Sequence, residues 1–198
     1  MEGSVLRVVK LLCVLAVLGV GVATATAATG AAKRHRIKVG RTVLLAPRTR
    51  RSDCVLGSHP DRRCSPGAYS TRLTKAVICS AHFHTSAIRP LRRSRKHKVE
   101  REYGLPAGHF RDALQIDHIV PLRLGGSNHI ANLFPEEYAF ANHSPGYLAK
   151  DALDTRLRAL VCAGRIRLRA AQRRIAADWE GLYREILRRA THERKKKG

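Results

Sequence analysis

The sequence predicts an α+β fold in which a β-hairpin and the helix after it pack against additional helices, with disulfides as braces. Three observations predict it. Between Leu114 and Pro121 apolar and polar residues alternate, so that Leu114, Ile116, His118 and Val120 share one side, as in a strand with one buried face. Farther on the period becomes three and four, through Leu148, Leu153, Leu157, Leu160 and Val161 and then Leu168, Ala171, Ile175, Trp179, Leu182 and Ile186, the stripe of a core-facing helix. Four cysteines, Cys54, Cys64, Cys79 and Cys162, lie outside the apolar run at the N-terminus.

Residues 1–27 have the three-part shape of a secretory signal: Arg7 and Lys10, an apolar stretch from Leu11 to Val22, and small residues near Ala25 or Ala27 suited to cleavage. The apolar stretch is shorter than the ~20 residues a bilayer-spanning helix needs. Export to the cell envelope or beyond is therefore expected, with no stable membrane insertion once the signal is removed. An oxidising compartment makes an even number of cysteines informative, and none of the four is spaced Cys-x-x-Cys as zinc ribbons and redox motifs are. Three pairings are possible. The favoured one joins Cys54 to Cys64, closing a short loop through SHPDRR, and Cys79 to Cys162, tying an early helix to a late one.

Residues 28–66 read as a basic linker followed by the short disulfide loop, since the stretch up to about Arg51 shows no sustained period and residues 52–67 are rich in turn formers. A domain of residues 67–190 follows. It opens with a short helix over 71–83, with Leu73, Val77 and Ile78 on one side and Thr71 near its start. Pro90 separates this from a helix over 91–104, whose apolar positions Leu91, Val99 and Tyr103 leave a long basic face and whose end is marked by Gly104. After the first strand, Gly125 and Gly126 supply a reversal and HIANLF begins the second strand. A helix then runs through Cys162 to Gly164, and a single helix runs from Leu168 to Arg188. Residues 191–198 form a basic tail.

Charge narrows the partners. Against 15 Asp and Glu stand 38 Lys and Arg, for a net +23 that removal of the signal hardly changes. Such an excess repels itself and is best tolerated next to a polyanion or an anionic surface; nucleic acid fits, as would anionic lipid or a cell-wall polymer, and a solvated basic face has the same composition. Arg92, Arg93, Arg95, Lys96 and Lys98 are the expected phosphate contacts, positioning DNA without reading its sequence.

The stretch QIDHIVPLRLGGSNHIANLFP, residues 115–135, carries the chemistry. An Asp oxygen is a hard anionic ligand for a divalent ion, and an imidazole beside it can take a proton from an attacking water, provided both face one shared cavity. Asp117-His118-Ile119-Val120-Pro121, Gly125-Gly126 and Asn132-Leu133 resemble the DHxxP…GG…NL core of the HNH, or ββα-metal, nucleases. The likeness extends to a group of exported bacterial HNH-like proteins through Cys79, Arg89-Pro90, Lys150-Asp151, the Leu160–Gly164 segment, Ala171-Gln172, Ile175 and Asp178-Trp179. It covers roughly residues 66–190.

This resemblance implies a ββα-metal (HNH-like) hairpin and helix, and a metal-dependent endonuclease that hydrolyses DNA phosphodiesters with little sequence preference. It implies one divalent ion (Mg, Mn or Zn) on Asp117, His118 as general base, and Asn132 as the residue that fixes the loop around the base. The ligand from the helix is expected from Asn142 or His143. Two positions depart from the pattern: Leu148 stands where the exported group often has a His, and Phe134 replaces a Trp. Lys150-Asp151 reads as an ion pair holding its helix. The alternative function is a non-catalytic cationic protein, binding nucleic acid or the envelope on a degenerate HNH fold.

Overall fold

The computed structural model describes residues 37–108, 114–137 and 146–195, the last six of these by backbone alone. Within them lie two small antiparallel sheets and five helices: β1 (Thr42–Leu44), β2 (Ala68–Ser70), α1 (Lys75–Ile78), α2 (Arg93–Glu102), β3 (Leu114–His118), β4 (Leu133–Glu137), α3 (Tyr147–Cys162), α4 (Leu168–Ala177) and α5 (Trp179–Lys195). The α+β class and both disulfides, Cys54–Cys64 and Cys79–Cys162, agree with expectation. The disulfides fit an oxidising compartment. No helix among the described residues is long and apolar enough to cross a membrane. Residues 1–27, which read as a secretory signal, lie outside the described residues, as do Asn142 and His143.

The hairpin pairs β3 with β4 in a register running from Leu114 opposite Glu137 to His118 opposite Leu133. Burial alternates along β3 as its sequence pattern requires, with Leu114, Ile116 and His118 turned inward. The connection is wider than a two-residue reversal. Residues 119–132 pass through two 3₁₀ turns, Leu122–Leu124 and Ile130–Asn132. Gly125 sits between them at φ +78°, and Gly126 bridges to Tyr69 of β2. A Cβ on Gly126 would fall 1.8 Å from the Val120 carbonyl oxygen, so this contact between backbones admits no side chain.

Several expectations are corrected. The stretch read as a linker supplies β1, which pairs with β2 from Thr42 opposite Ser70 to Leu44 opposite Ala68. It is bolted down farther along by Arg48, which donates through Nε to the Cys64 carbonyl at 2.6 Å and pairs with Glu102 at the end of α2. The first helix is shorter than 71–83 because Thr74, not Thr71, caps it, while the Thr71 hydroxyl accepts from the Arg41 backbone N–H. The helix read from Leu168 to Arg188 is two helices. Asp178 leaves helical geometry at φ −159°, ψ 87° and its carboxylate accepts from the Gly181 N–H at 2.8 Å, capping α5. The predicted stripe survives the break, since Ala171, Ile175, Trp179, Leu182 and Ile186 are all buried.

These helices and the 3₁₀ turn at Leu122–Leu124 close over α3, whose Leu153, Leu157 and Val161 enter the same core as Ile78, Leu124 and Trp179. Leu148 does not join them and is 54% exposed. α2 packs against β4 and α3 against the 3₁₀ turn at Leu122–Leu124, and Lys150 of α3 reaches the end of β3 through the His118 carbonyl.

Candidate active site

His118 is the last residue of β3, on the inward face with Leu114 and Ile116. Its Nε2 lies 2.8 Å from Asn128 Oδ1, while Asn128 Nδ2 donates to the Ile88 carbonyl at 2.7 Å. Because the amide nitrogen is committed to a carbonyl, its oxygen faces the ring, so Nε2 carries the proton and Nδ1 carries the lone pair. Nδ1 makes no hydrogen bond to any described residue. Burial pushes the imidazole below its ordinary pKa, with Lys150 and Arg89 acting the same way against the opposing pull of Asp117 and Asn128. At neutral pH the ring is neutral, with an Nδ1 lone pair that no described residue engages.

Asp117 projects to the other face of the strand, toward α3. Consecutive strand residues must diverge in this way, which corrects the expectation of one cavity shared by the pair. Its carboxylate meets the ammonium group of Lys150, which also donates to the His118 carbonyl at 2.8 Å and lies 3.7 Å from Glu136. Lys150 is 1% exposed. The sequence suggests a Lys150–Asp151 pair, but adjacent positions on a helix do not face each other, and Asp151 is exposed.

The charges in this cluster sort themselves by environment. Burial raises the Asp117 carboxyl, yet the Lys150 charge together with the Glu136 hydrogen bond, the His118 charge and the Lys150 hydrogen bond holds the group at about 2. Burial lowers Lys150, but Asp117, Glu136 and Asp154 together raise it well above its ordinary value. Burial drives Glu136 and Asp154 well above the carboxylate range against the pull of Lys150. Both Glu136 oxygens and Asp154 Oδ1 are buried without a hydrogen-bond partner among the described residues. A neutral carboxylic acid tolerates such a site and a carboxylate does not. Burial thus disfavours the charged forms of Glu136 and Asp154, while Lys150 pairs with Asp117 and stands within ion-pair distance of Glu136.

Asn132 is fully buried. Its Oδ1 accepts from the Ala68 and Val120 N–H groups at 2.9 and 2.8 Å, and its Nδ2 donates to the Val120 and Ser127 carbonyls at 3.0 and 2.8 Å. All four bonds go to backbone, so Asn132 positions the 119–127 loop behind His118 and touches no reacting group.

As a cation ligand, Asp117 has suitable chemistry: an ionised oxygen donor whose side chain is 20% exposed. Lys150 already neutralises it, and no group of three His, Cys, Asp or Glu side chains converges for a metal among the described residues.

The five cations assigned to nucleic acid lie at the start of α2 and along it. Arg92, Arg93, Arg95 and Lys98 are exposed and Lys96 is half-buried. Arg95 also donates to the Asn128 carbonyl at 2.8 Å, which pins the backbone of the residue that orients His118. The first turn of α2 holds no acid. Cations there oppose the positive end of the helix dipole, an arrangement that a bound anion would offset.

Sequence reading missed Asn128 as the partner of His118, and Glu136, Lys150 and Asp154 as one cluster. For Lys150 a signal was present: it shares the stripe of Leu153, Leu157 and Val161, where a charge requires a buried partner. Asn128 gave none, being one more turn former after Gly125 and Gly126. Comparisons with protein-family models, with curated proteins and with solved structures find no match for this chain.

Proposed function

We propose that this protein is an exported HNH-type endonuclease that hydrolyses DNA phosphodiester bonds with little sequence preference. The observation that carries the reading is the state of His118: neutral, protonated on Nε2 by its bond to Asn128, with Nδ1 left to accept a proton. In this reading Nδ1 removes the proton from a water that attacks phosphorus, and Asn128 and Asn132 keep the ring and its loop in place. Arg92 and Arg93 hold the DNA backbone by charge. Asp117 would hold a divalent ion, with Asn142 or His143, and the ion would offset charge on the phosphate and the leaving oxygen. Because Asp117 and His118 project from opposite faces, the substrate has to cross the end of β3.

The second reading, a cationic protein that binds nucleic acid without cutting it, is favoured by Lys150, whose ammonium group stands where a cation on Asp117 would stand. One assay separates the two. Mature protein is incubated with supercoiled plasmid and Mg²⁺, Mn²⁺ or Zn²⁺, or with chelator, and DNA retention is measured in parallel. The expected outcome is cutting in the presence of at least one metal, lost in His118→Ala while retention stays nearly intact. A His118→Ala protein that cuts as well as the parent removes His118 as the base, and a parent that retains DNA but never cuts leaves the binding reading.

A further inference from the structure

Away from the α2 cations, a cavity of about 590 Å³ opens between the 3₁₀ turn at Thr85–Ala87, the turn after β3 and the outer side of α3. Arg89, Arg123 and Arg158 line it together with His84, Thr85 and Ser86, and none of its lining side chains is acidic. Arg158 is aimed by its Nε, which donates to the Ile78 carbonyl at 2.9 Å, and its terminal nitrogens make no hydrogen bond to a described residue. Among the described residues the Arg89 guanidinium reaches only the Thr85 hydroxyl, at 3.4 Å. Neither Arg89 nor Arg123 has a carboxylate within ion-pair distance among the described residues. Three guanidinium groups around one cavity repel one another, and their forks match the oxygens of a phosphate.

The cavity is coupled to His118 through the chain. Arg89 follows Ile88, whose carbonyl holds Asn128, which in turn holds His118. The Arg89 charge reaches His118, and those of Arg89 and Arg123 both reach Asp151 on the near turn of α3. We infer that this cavity is a phosphate-binding site that takes a backbone phosphate of a nucleic-acid strand beside the linkage facing His118. The phosphate chemistry follows from the arginines alone; the strand rests on the nuclease reading above.

The test is binding by the mature protein in chelator, so that no cutting occurs. The probes are inorganic phosphate and a single-stranded oligonucleotide, with phosphatidylglycerol vesicles as a second phosphate source. Arg89→Gln/Arg123→Gln is expected to weaken inorganic phosphate about ten-fold or more and to lower the salt slope of oligonucleotide binding by about 0.7, the share of the one phosphate the cavity holds. Arg92→Gln/Arg93→Gln removes the same charge from α2 and is expected to leave inorganic phosphate binding within about two-fold. Ser86→Glu, at an exposed position, places a carboxylate among the arginines and is expected to abolish phosphate binding without lowering the melting temperature. Equal phosphate affinity in the parent and the Arg89/Arg123 variant overturns the site. Loss of vesicle binding alone in that variant overturns the strand as its occupant. Plasmid that stays uncut by the parent with every metal of the cleavage assay, while phosphate binding in chelator follows the arginines, defeats the nuclease reading and leaves the cavity's assignment standing.

Discussion

Truncating Asn132 to alanine tests how the loop behind His118 is held. The side chain is fully buried and makes four hydrogen bonds, all to backbone of β2 and of the 119–127 loop. Alanine leaves the N–H groups of Ala68 and Val120 without an acceptor in a site closed to water. Each such group costs about 1–3 kcal/mol, and the Val120 and Ser127 carbonyls add a smaller amount because each keeps a second lone pair. The expected loss is about 3–5 kcal/mol, a large part of the about 5–15 kcal/mol that holds a domain together. At this chain length that lowers the melting temperature by about 10 °C. Urea unfolding of the oxidised mature protein, followed by far-UV circular dichroism, measures it, with an unchanged m-value showing that the native state has not loosened. A loss below about 1 kcal/mol, the scale of an ordinary surface substitution, refutes the assignment of Asn132 as the anchor of this loop.

Two further predictions concern buried ionisable groups. Lys150→Met strands Asp117 and is expected to cost about 3–5 kcal/mol at neutral pH. The deficit narrows as pH falls: Asp117 in the parent, held at about 2, contributes stability above its unfolded pKa and loses it on acidification, whereas the stranded carboxyl is raised and favours folding once protonated. Lys150→Met/Asp117→Asn is expected to lose less than the two single changes added together, and strict additivity in urea unfolding would dissolve the pair. Tyr103 is buried near Ser65, and burial pushes its hydroxyl up to about 12. Its folded-state pKa lies above the unfolded value, so its contribution is full below pH 10 and falls as pH rises toward 12. The parent should therefore lose about 2–3 kcal/mol more than Tyr103→Phe across that window, and parallel pH–stability curves for the two proteins would contradict it.

What could be read from the sequence follows from how strongly each element is committed to one face. β3 was legible because its inward residues alternate, and α4 and α5 because their stripe runs unbroken across Asp178. The break itself could be found in the Asp-Trp-Glu-Gly run, since an Asp whose carboxylate meets an N–H three residues on is a helix cap. β1 was not legible: Thr42 and Val43 are exposed and Leu44 only half-buried, so three residues carry no period and the strand is fixed by its partner β2. Leu148 misled for a geometric reason. It lies about half a turn from the stripe of Lys150, Leu153, Leu157 and Val161, so its apolar character does not give it a buried face. Asp117 and His118 could be picked out by residue type and motif, whereas the partners that set their charge come from Asn128, Glu136, Lys150 and Asp154. Such contacts across elements leave little trace in a local pattern.

The same partners bear on the net charge. Of 15 acidic residues, Glu100, Glu102, Glu136, Asp154 and Glu180 are buried, and Asp117 is committed to Lys150. Among Lys and Arg in the described residues, Lys150 alone is counted with the buried polar groups. Among the described residues, folding therefore withdraws more carboxylates than cations from the surface. The withdrawn acids serve local structure. Glu102 anchors Arg48 and the short disulfide loop, Glu100 accepts from His97 and the Gly108 N–H, and Glu180 lies within ion-pair distance of Arg184. None of these contacts requires a cationic exterior. The excess of Lys and Arg outside is then not a by-product of packing, and its self-repulsion weakens as salt screens it.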